Sequence, residues 1–154
     1  MLTLRPADLS DLDPLTHLCI AAKAHWGYDA DFMDRCRDEL TVRAADLEAD
    51  DMVVAVKNSE TAGFAQLSHT GTIAHLERLY IHPAFMGCGI GRRLFDWART
   101  TARDLGAQGM VIEADPHAAG FYHRMGCTDA GTVPSGSIPG RVLPRLTCPI
   151  QAAP

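Results

Sequence analysis

The sequence predicts an α/β protein: a mixed, mostly antiparallel sheet of six to seven strands flanked by about four helices, all in one domain spanning residues 1–154. Three observations predict it. Apolar residues recur at helical spacing in the first forty residues. Residues 52–69 read as two strands around a polar turn. Between His75 and Ala114 a strand, a glycine-rich loop, an amphipathic helix and an apolar strand follow one another.

Leu2–Arg5 reads as a short strand. Asp8 or Ser10 can cap the next helix, whose apolar positions Leu12, Leu15, Cys19 and Ala22 share a face. A second helix is predicted over Asp29–Leu40, with the stripe Phe32, Met33, Cys36 and Leu40. MVVAVK (52–57) and AGFAQLSH (62–69) flank the polar Asn58-Ser59-Glu60-Thr61 as a hairpin. A third strand, His75–Ile81, stops at Pro83. The helix Gly91–Leu105 places Leu94, Phe95, Ala98, Ala102 and Leu105 on one side, and the strand 110–114 follows. Asp115-Pro116 form a cap and first-turn pair for a short helix that ends near Met125, with Gly126 as its stop. Strands near 127–133 and 142–149 complete the sheet, joined by the turn-rich VPSGSIPG.

Composition narrows the function classes. With 47% hydrophobic and 21% charged residues the chain is of ordinary globular type. No apolar run is long enough to span a bilayer, and the start MLTLRPADLSDLD lacks the features of a leader, which predicts a soluble cytoplasmic protein without a membrane partner. A formal charge of −5 argues against a nucleic-acid partner. The five cysteines form no C-x-x-C pair and the seven histidines show no ligand spacing, so no metal is assigned.

The chemistry is concentrated in HLERLYIHPAFMGCGIG (75–91), which runs directly into Arg92-Arg93 and a helix. A strand, a Gly-x-Gly-x-Gly loop and a helix gather backbone N–H groups where an anionic phosphate can be held. Gly87, Gly89 and Gly91 allow positive φ and close approach. A plain glycine turn is the alternative. The loop lacks the G-K-[ST] of a Walker motif, and the meander before it is unlike a dinucleotide-binding βαβ unit.

These residues resemble the Gcn5-related N-acetyltransferases, whose signature is [RQ]-x-x-G-x-[GA] after a strand of the type L-Y-V-x-P. Here Leu79-Tyr80-Ile81-His82-Pro83 precedes Met86-Gly87-Cys88-Gly89-Ile90-Gly91, and ADPHAAGFYHRMGC resembles the family's N-x-x-A-x-x-F-Y-x-x-x-G-F segment. The resemblance covers residues 73–127. Two departures stand out: Met86 replaces the usual Gln/Arg, and Asp115 stands where Asn is common.

The resemblance implies transfer of an acetyl group from acetyl-CoA to an amine, with a small-molecule amine as acceptor. It implies that Leu79, Tyr80, Ile81, Met86, Gly87, Cys88, Gly89, Ile90, Gly91, Arg92 and Asp115 form the coenzyme A site. Main-chain groups of Leu79 and Ile81 would pair with the pantetheine arm. Tyr122 matches the general acid commonly placed near the CoA sulfur; simple packing is its alternative role. For the base, Glu77 is the first choice and His75 the second, because His75, Glu77, Leu79 and Ile81 share strand parity and so are expected on one face. A substrate-orienting or merely solvated pair is the competing reading of both. In this fold the first helices and the last hairpin frame the acceptor, which points to Trp26, Tyr28 and Arg141. The two aromatics equally suit an interhelical plug, and Arg141 a surface ion pair. A non-catalytic acyl-CoA-binding module of the same fold is the alternative function. Exposed sheet edges also allow a homodimer.

The charge is unevenly divided. Residues 1–72 carry 6 Lys/Arg against 13 Asp/Glu, and residues 73–154 carry 8 against 6. The basic half holds Arg92, Arg93 and Arg99, expected near an anionic cofactor, and the acidic half would favour approach of a cationic amine.

Overall fold

The computed structural model describes residues 1–151, and among these seven strands form one sheet in the order β1-β2-β3-β4-β5-β7-β6. The strands are β1 (Leu2–Pro6), β2 (Asp51–Lys57), β3 (Glu60–Thr70), β4 (Ile73–Ile81), β5 (Gly109–Glu113), β6 (Thr128–Pro134) and β7 (Val142–Pro149). The helices are α1 (Leu12–Ala24), α2 (Ala30–Leu40), α3 (Ala44–Ala49), α4 (Ile90–Asp104) and α5 (Ala119–Arg124). Neighbouring strands run antiparallel except β4 and β5, which are parallel. No helix among the described residues is long and apolar enough to cross a membrane.

Local chemistry explains the boundaries. Asp8 accepts the Ser10 N–H at 2.9 Å and opens a 3-10 turn that leads into α1, and Asp29 caps α2 by accepting the Phe32 N–H at 2.8 Å. The β2–β3 turn is shorter than the sequence suggested. Asn58 and Ser59 both take left-handed φ, 52° and 67°, which suits a two-residue hairpin turn and lets the strands continue to Lys57 and Glu60.

The sheet separates two cores. On one face α4 packs Ile90, Leu94, Phe95, Ala98 and Ala102 against Ala65, Leu67, Leu76 and Met110. On the other, α1 and α2 bury Leu15, Leu18, Cys19, Cys36 and Leu40 against Val54 and Phe64. The two faces therefore contribute different walls to anything that opens through the sheet.

That opening lies between β4 and β5. Their pairing covers only Ile73–His75 opposite Gly109–Val111, after which the strands separate. β4 is also irregular on its other side, where Gln66 faces Arg78 but Leu67 faces Leu76, leaving Glu77 as an extra residue in a β-bulge. The bulge corrects the expected parity. Leu76, Leu79 and Ile81 belong to the α4 face, whereas His75 pairs with Ser68, and Arg78 with Gln66, on the opposite face. One inserted residue in a period of two shifts every side chain beyond it.

Candidate active site

The separated ends of β4 and β5 form a cleft of about 570 Å³. Leu76–Ile81 line one side and Ile112–Asp115 the other; the glycine loop and α5 close one end, and Trp26 with Ala22 reaches the other.

The open edge of β4 follows from its bonding. The His82 N–H donates to Ala62 O at 2.8 Å on the β3 side. Alternate residues of a strand aim their backbone groups at opposite edges, so Leu79 and Ile81 present theirs to the cleft. Tyr80 is different. Its main chain faces β3, and its ring sits on the α1 side, 6.3 Å from that of Phe64.

The loop turns on Gly87 and Gly89, with φ of 79° and 78°, a region costly for side chains. Gly89 occupies the N-cap of α4 without supplying a side-chain bond, so the first N–H groups of the helix, from Ile90 to Arg92, face outward. Gly91 is ordinary helix, not a positive-φ residue. A Cβ there would lie 3.1 Å from the Phe121 ring, so its role is close packing. Met86, Gly87, Gly89, Ile90, Gly91 and Arg92 line the cleft, as does Arg124 of α5, whose lone position in FYHR gave no sign of it. Cys88 is exposed and outside the lining. Arg99 departs from expectation: it lies further along α4, donates to Met125 O at 2.7 Å and faces a different cavity.

Tyr122 lies on α5, 5% exposed, against Phe95 and Phe121, and reaches the cleft. Burial pushes its phenol well above the ordinary value, so it stays protonated at neutral pH. Glu77 also lines the cleft, and its Oε1 accepts from Ser68 Oγ at 2.7 Å. His75 does not line it, since it sits where β4 and β5 are still paired.

At the Trp26 end the chain assembles a network that includes a residue missed in the sequence. Asp115 Oδ2 accepts from Lys23 Nζ at 3.2 Å and from Tyr28 Oη at 2.9 Å, while Oδ1 accepts the His117 N–H at 2.9 Å. Arg141 Nη2 donates to Tyr28 Oη at 2.7 Å and stands 3.6 Å from the carboxylate. Lys23 is 5% exposed. Burial would raise the Asp115 carboxyl, but the His117 N–H, the Lys23 charge and the Tyr28 hydroxyl outweigh it and hold the group below its ordinary value. Burial, then the bond to Asp115, pushes the Tyr28 phenol up to about 12. Tyr28 and Arg141 therefore meet behind the cleft wall, and Trp26 forms the wall itself, stacked on His117 at 5.0 Å. Asp115 turns toward these partners. Outside, carboxylates of α2 are matched by arginines in exposed pairs, Asp31 with Arg35 and Asp34 with Arg37, which reduces the acidic field there. Among the described residues no cluster of three or more His, Cys, Asp or Glu could hold a metal ion.

Comparison with known proteins agrees with this architecture. A family model described as an acetyltransferase (GNAT) domain matches residues 16–133. An aminoglycoside N(6')-acetyltransferase type 1 of Stenotrophomonas maltophilia is 29% identical over 96 residues, 53% of this chain and 63% of that protein. The chain spans between 37% and 63% of the length of the curated relatives it matches. A GCN5-related N-acetyltransferase structure from Rhodopseudomonas palustris superposes with a TM-score of 0.81 at 23% identity, covering 96% of this chain and 94% of that one. The PaiA N-acetyltransferase of Thermoplasma acidophilum, solved with coenzyme A, gives 0.77 at 18% identity over 97% and 99%.

Proposed function

The chain belongs to the GNAT acetyltransferase family, and from that premise we propose that it transfers the acetyl group of acetyl-CoA to a primary amine of a small-molecule or peptide acceptor. The observation that carries this reading is the open β4 edge. Leu79 and Ile81 offer unpaired backbone groups to the same cleft that receives the glycine loop and Tyr122.

The residues present suit acetyl-CoA. The extended edge of Leu79 and Ile81 matches the amides of a pantetheine arm, as a strand matches its neighbour. The N–H groups of Ile90, Gly91 and Arg92, with the Arg92 and Arg124 guanidinium groups, suit a pyrophosphate. Met86 lines this end without a polar group, so the backbone carries more of the binding. Acetyl-CoA supplies the acetyl group as an activated thioester.

The chain's own groups supply proton handling and positioning. Glu77, held by Ser68, is the base that accepts the ammonium proton of the acceptor, directly or through water. Tyr122 carries a proton on Oη for the departing thiolate, as any phenol does at neutral pH, and its burial disfavours the phenolate further. Trp26 and His117 stack as one wall of the acceptor end, and the Asp115 network behind them fixes that wall. His75 has no direct part.

Thermal stabilisation by acetyl-CoA, followed by thiol release over a panel of amines, tests the reading. At a hundredfold excess over Kd the ligand adds about 2.7 kcal/mol to stability. No shift with any acyl-CoA overturns the proposal. A shift without thiol release from any amine would favour the non-catalytic binding module instead.

A further inference from the structure

Cys127 and Cys148 oppose each other across the last hairpin. Thr128 pairs with Thr147, so the next rung sets Cys127 against Cys148. The Cys127 N–H turns away to Tyr122 O at 3.0 Å, which makes this a rung without a backbone hydrogen bond from Cys127, where opposed side chains come closest. Both are buried, 4% and 3% exposed, in the core under α4. The proximity of Cys127 draws the Cys148 thiol below its ordinary value against burial, helped by the Arg99 charge.

A second cavity of about 310 Å³ opens on Cys148 but not on Cys127. Arg99 and Arg103 line it, and among the described residues no carboxylate does. Arg99 lies over the Phe95 ring at 4.9 Å, bonds Met125 O, and keeps a buried Nε without a partner. The cavity is therefore cationic and borders an ionisable sulfur. A neighbouring cation favours the thiolate, which is the nucleophile of disulfide exchange.

We propose that Cys148 and Cys127 form a thiol modification site, in which an anionic low-molecular-weight disulfide enters the second cavity, reacts with Cys148, and is resolved by Cys127. The Cys148 thiolate attacks one sulfur of the reagent; the reagent S–S bond breaks, one half leaves as a thiolate, and a mixed disulfide forms. Cys127 gives up its proton to that released thiolate and attacks the Cys148 sulfur, expelling the second half, which takes up a proton from water. Two protein thiols are oxidised to one disulfide, and one reagent disulfide is reduced to two thiols. The new bond ties β6 to β7 directly after the helix that carries Tyr122. The proposal does not depend on acetyl transfer.

The test treats the folded full chain with oxidised glutathione and, separately, with cystamine, a cationic disulfide, then blocks remaining thiols and maps peptides by mass. The expected product is a Cys127–Cys148 linkage, both thiols lost from the titre, formed faster with oxidised glutathione than with cystamine. Cys127→Ser is expected to stop at a glutathione adduct on Cys148, and Cys148→Ser to leave Cys127 unmodified. Exposed Cys88 acquires an adduct throughout and verifies the reagent. Wild-type protein modified at Cys88 alone would overturn the site. Equal or faster reaction with cystamine would overturn its preference for anions. Both of these readings come from the native chain and stand whether or not the variants fold.

Discussion

The Lys23 ammonium and the Asp115 carboxylate, 92 residues apart in sequence, meet at 3.2 Å with side chains 6% and 13% exposed. Removing one partner of such a pair leaves an uncompensated buried charge, a loss of about 3–5 kcal/mol. Asp115→Ala is expected to lower Tm by about 10 °C or more. Lys23→Met should cost less, because Asp115 keeps the His117 N–H, Tyr28 and Arg141. Calorimetry of the two variants checks the order; equal losses would show that the His117 N–H, Tyr28 and Arg141 do not compensate Asp115 once Lys23 is gone.

Acid should destabilise the fold through three aspartates. The Arg5 bonds at 2.8 Å and the Asp8 N–H hold the Asp11 carboxyl below its ordinary value despite burial. Against the upward pull of burial, the Arg43 N–H, the Arg78 charge and Gln66 do the same for Asp46, as its partners do for Asp115. The unfolded chain takes up these protons near the ordinary value of about 3.9, before the folded chain does. The stabilisation is therefore complete above that value and is lost as pH falls through the lower folded values. Urea unfolding should show stability falling between about pH 5 and pH 3, with a shallower slope in Asp46→Asn. An unchanged slope would remove Asp46 from the account.

Periodicity made most of the fold legible, because the stripes in α1, α2 and α4 bury against the sheet, apart from Leu105, which lies just past the end of α4 and is exposed. Three features were hidden for physical reasons. α3 is six residues long, too short for a stripe, and its start is set by Asp46 accepting the Arg43 N–H at 2.8 Å. The bulge at Glu77 leaves no mark in a string of alternating residues, yet it decides which face each later side chain takes. Lys23 reads as a solvated helix position until folding brings Asp115 to it. The glycine loop and the α5 aromatics were legible as a motif. The network behind Trp26 was not, because every bond in it joins distant segments except the Asp115 cap on His117.

Tyr122→Phe and Glu77→Gln should separate chemistry from structure. The Tyr122 hydroxyl has no protein partner among the described side-chain bonds, so its loss should change stability by no more than about 1 kcal/mol while kcat falls roughly 10²–10⁴-fold. Glu77→Gln should lower kcat by about 10² or more and alter the pH–rate profile, whereas His75→Ala should leave that profile unchanged. Full turnover by Tyr122→Phe would exclude it as the acid, and a profile altered only by His75→Ala would exchange the two candidates for the base.

Gly63 is where the geometry of the open edge can be tested without touching the chemistry. It sits on β3 opposite Ile81, and a Cβ there would lie 2.9 Å from Ile81 Cδ1, 2.9 Å from the Tyr80 carbonyl oxygen and 3.2 Å from Leu94 Cδ1. The side-chain atoms can rotate away, but the carbonyl belongs to the backbone of β4. Gly63→Ala must therefore push β4 toward the cleft, at a cost of about 1–3 kcal/mol in overpacking. The same displacement moves the Leu79 and Ile81 amides, so KM for acetyl-CoA should rise with little change in kcat. Gly136→Ala is the control, since its φ is unstrained and nothing lies within 4 Å of the added atom. It should change stability by no more than about 0.5 kcal/mol. If Gly63→Ala lowers Tm but leaves KM for acetyl-CoA unchanged, the β4 edge does not hold the cofactor arm.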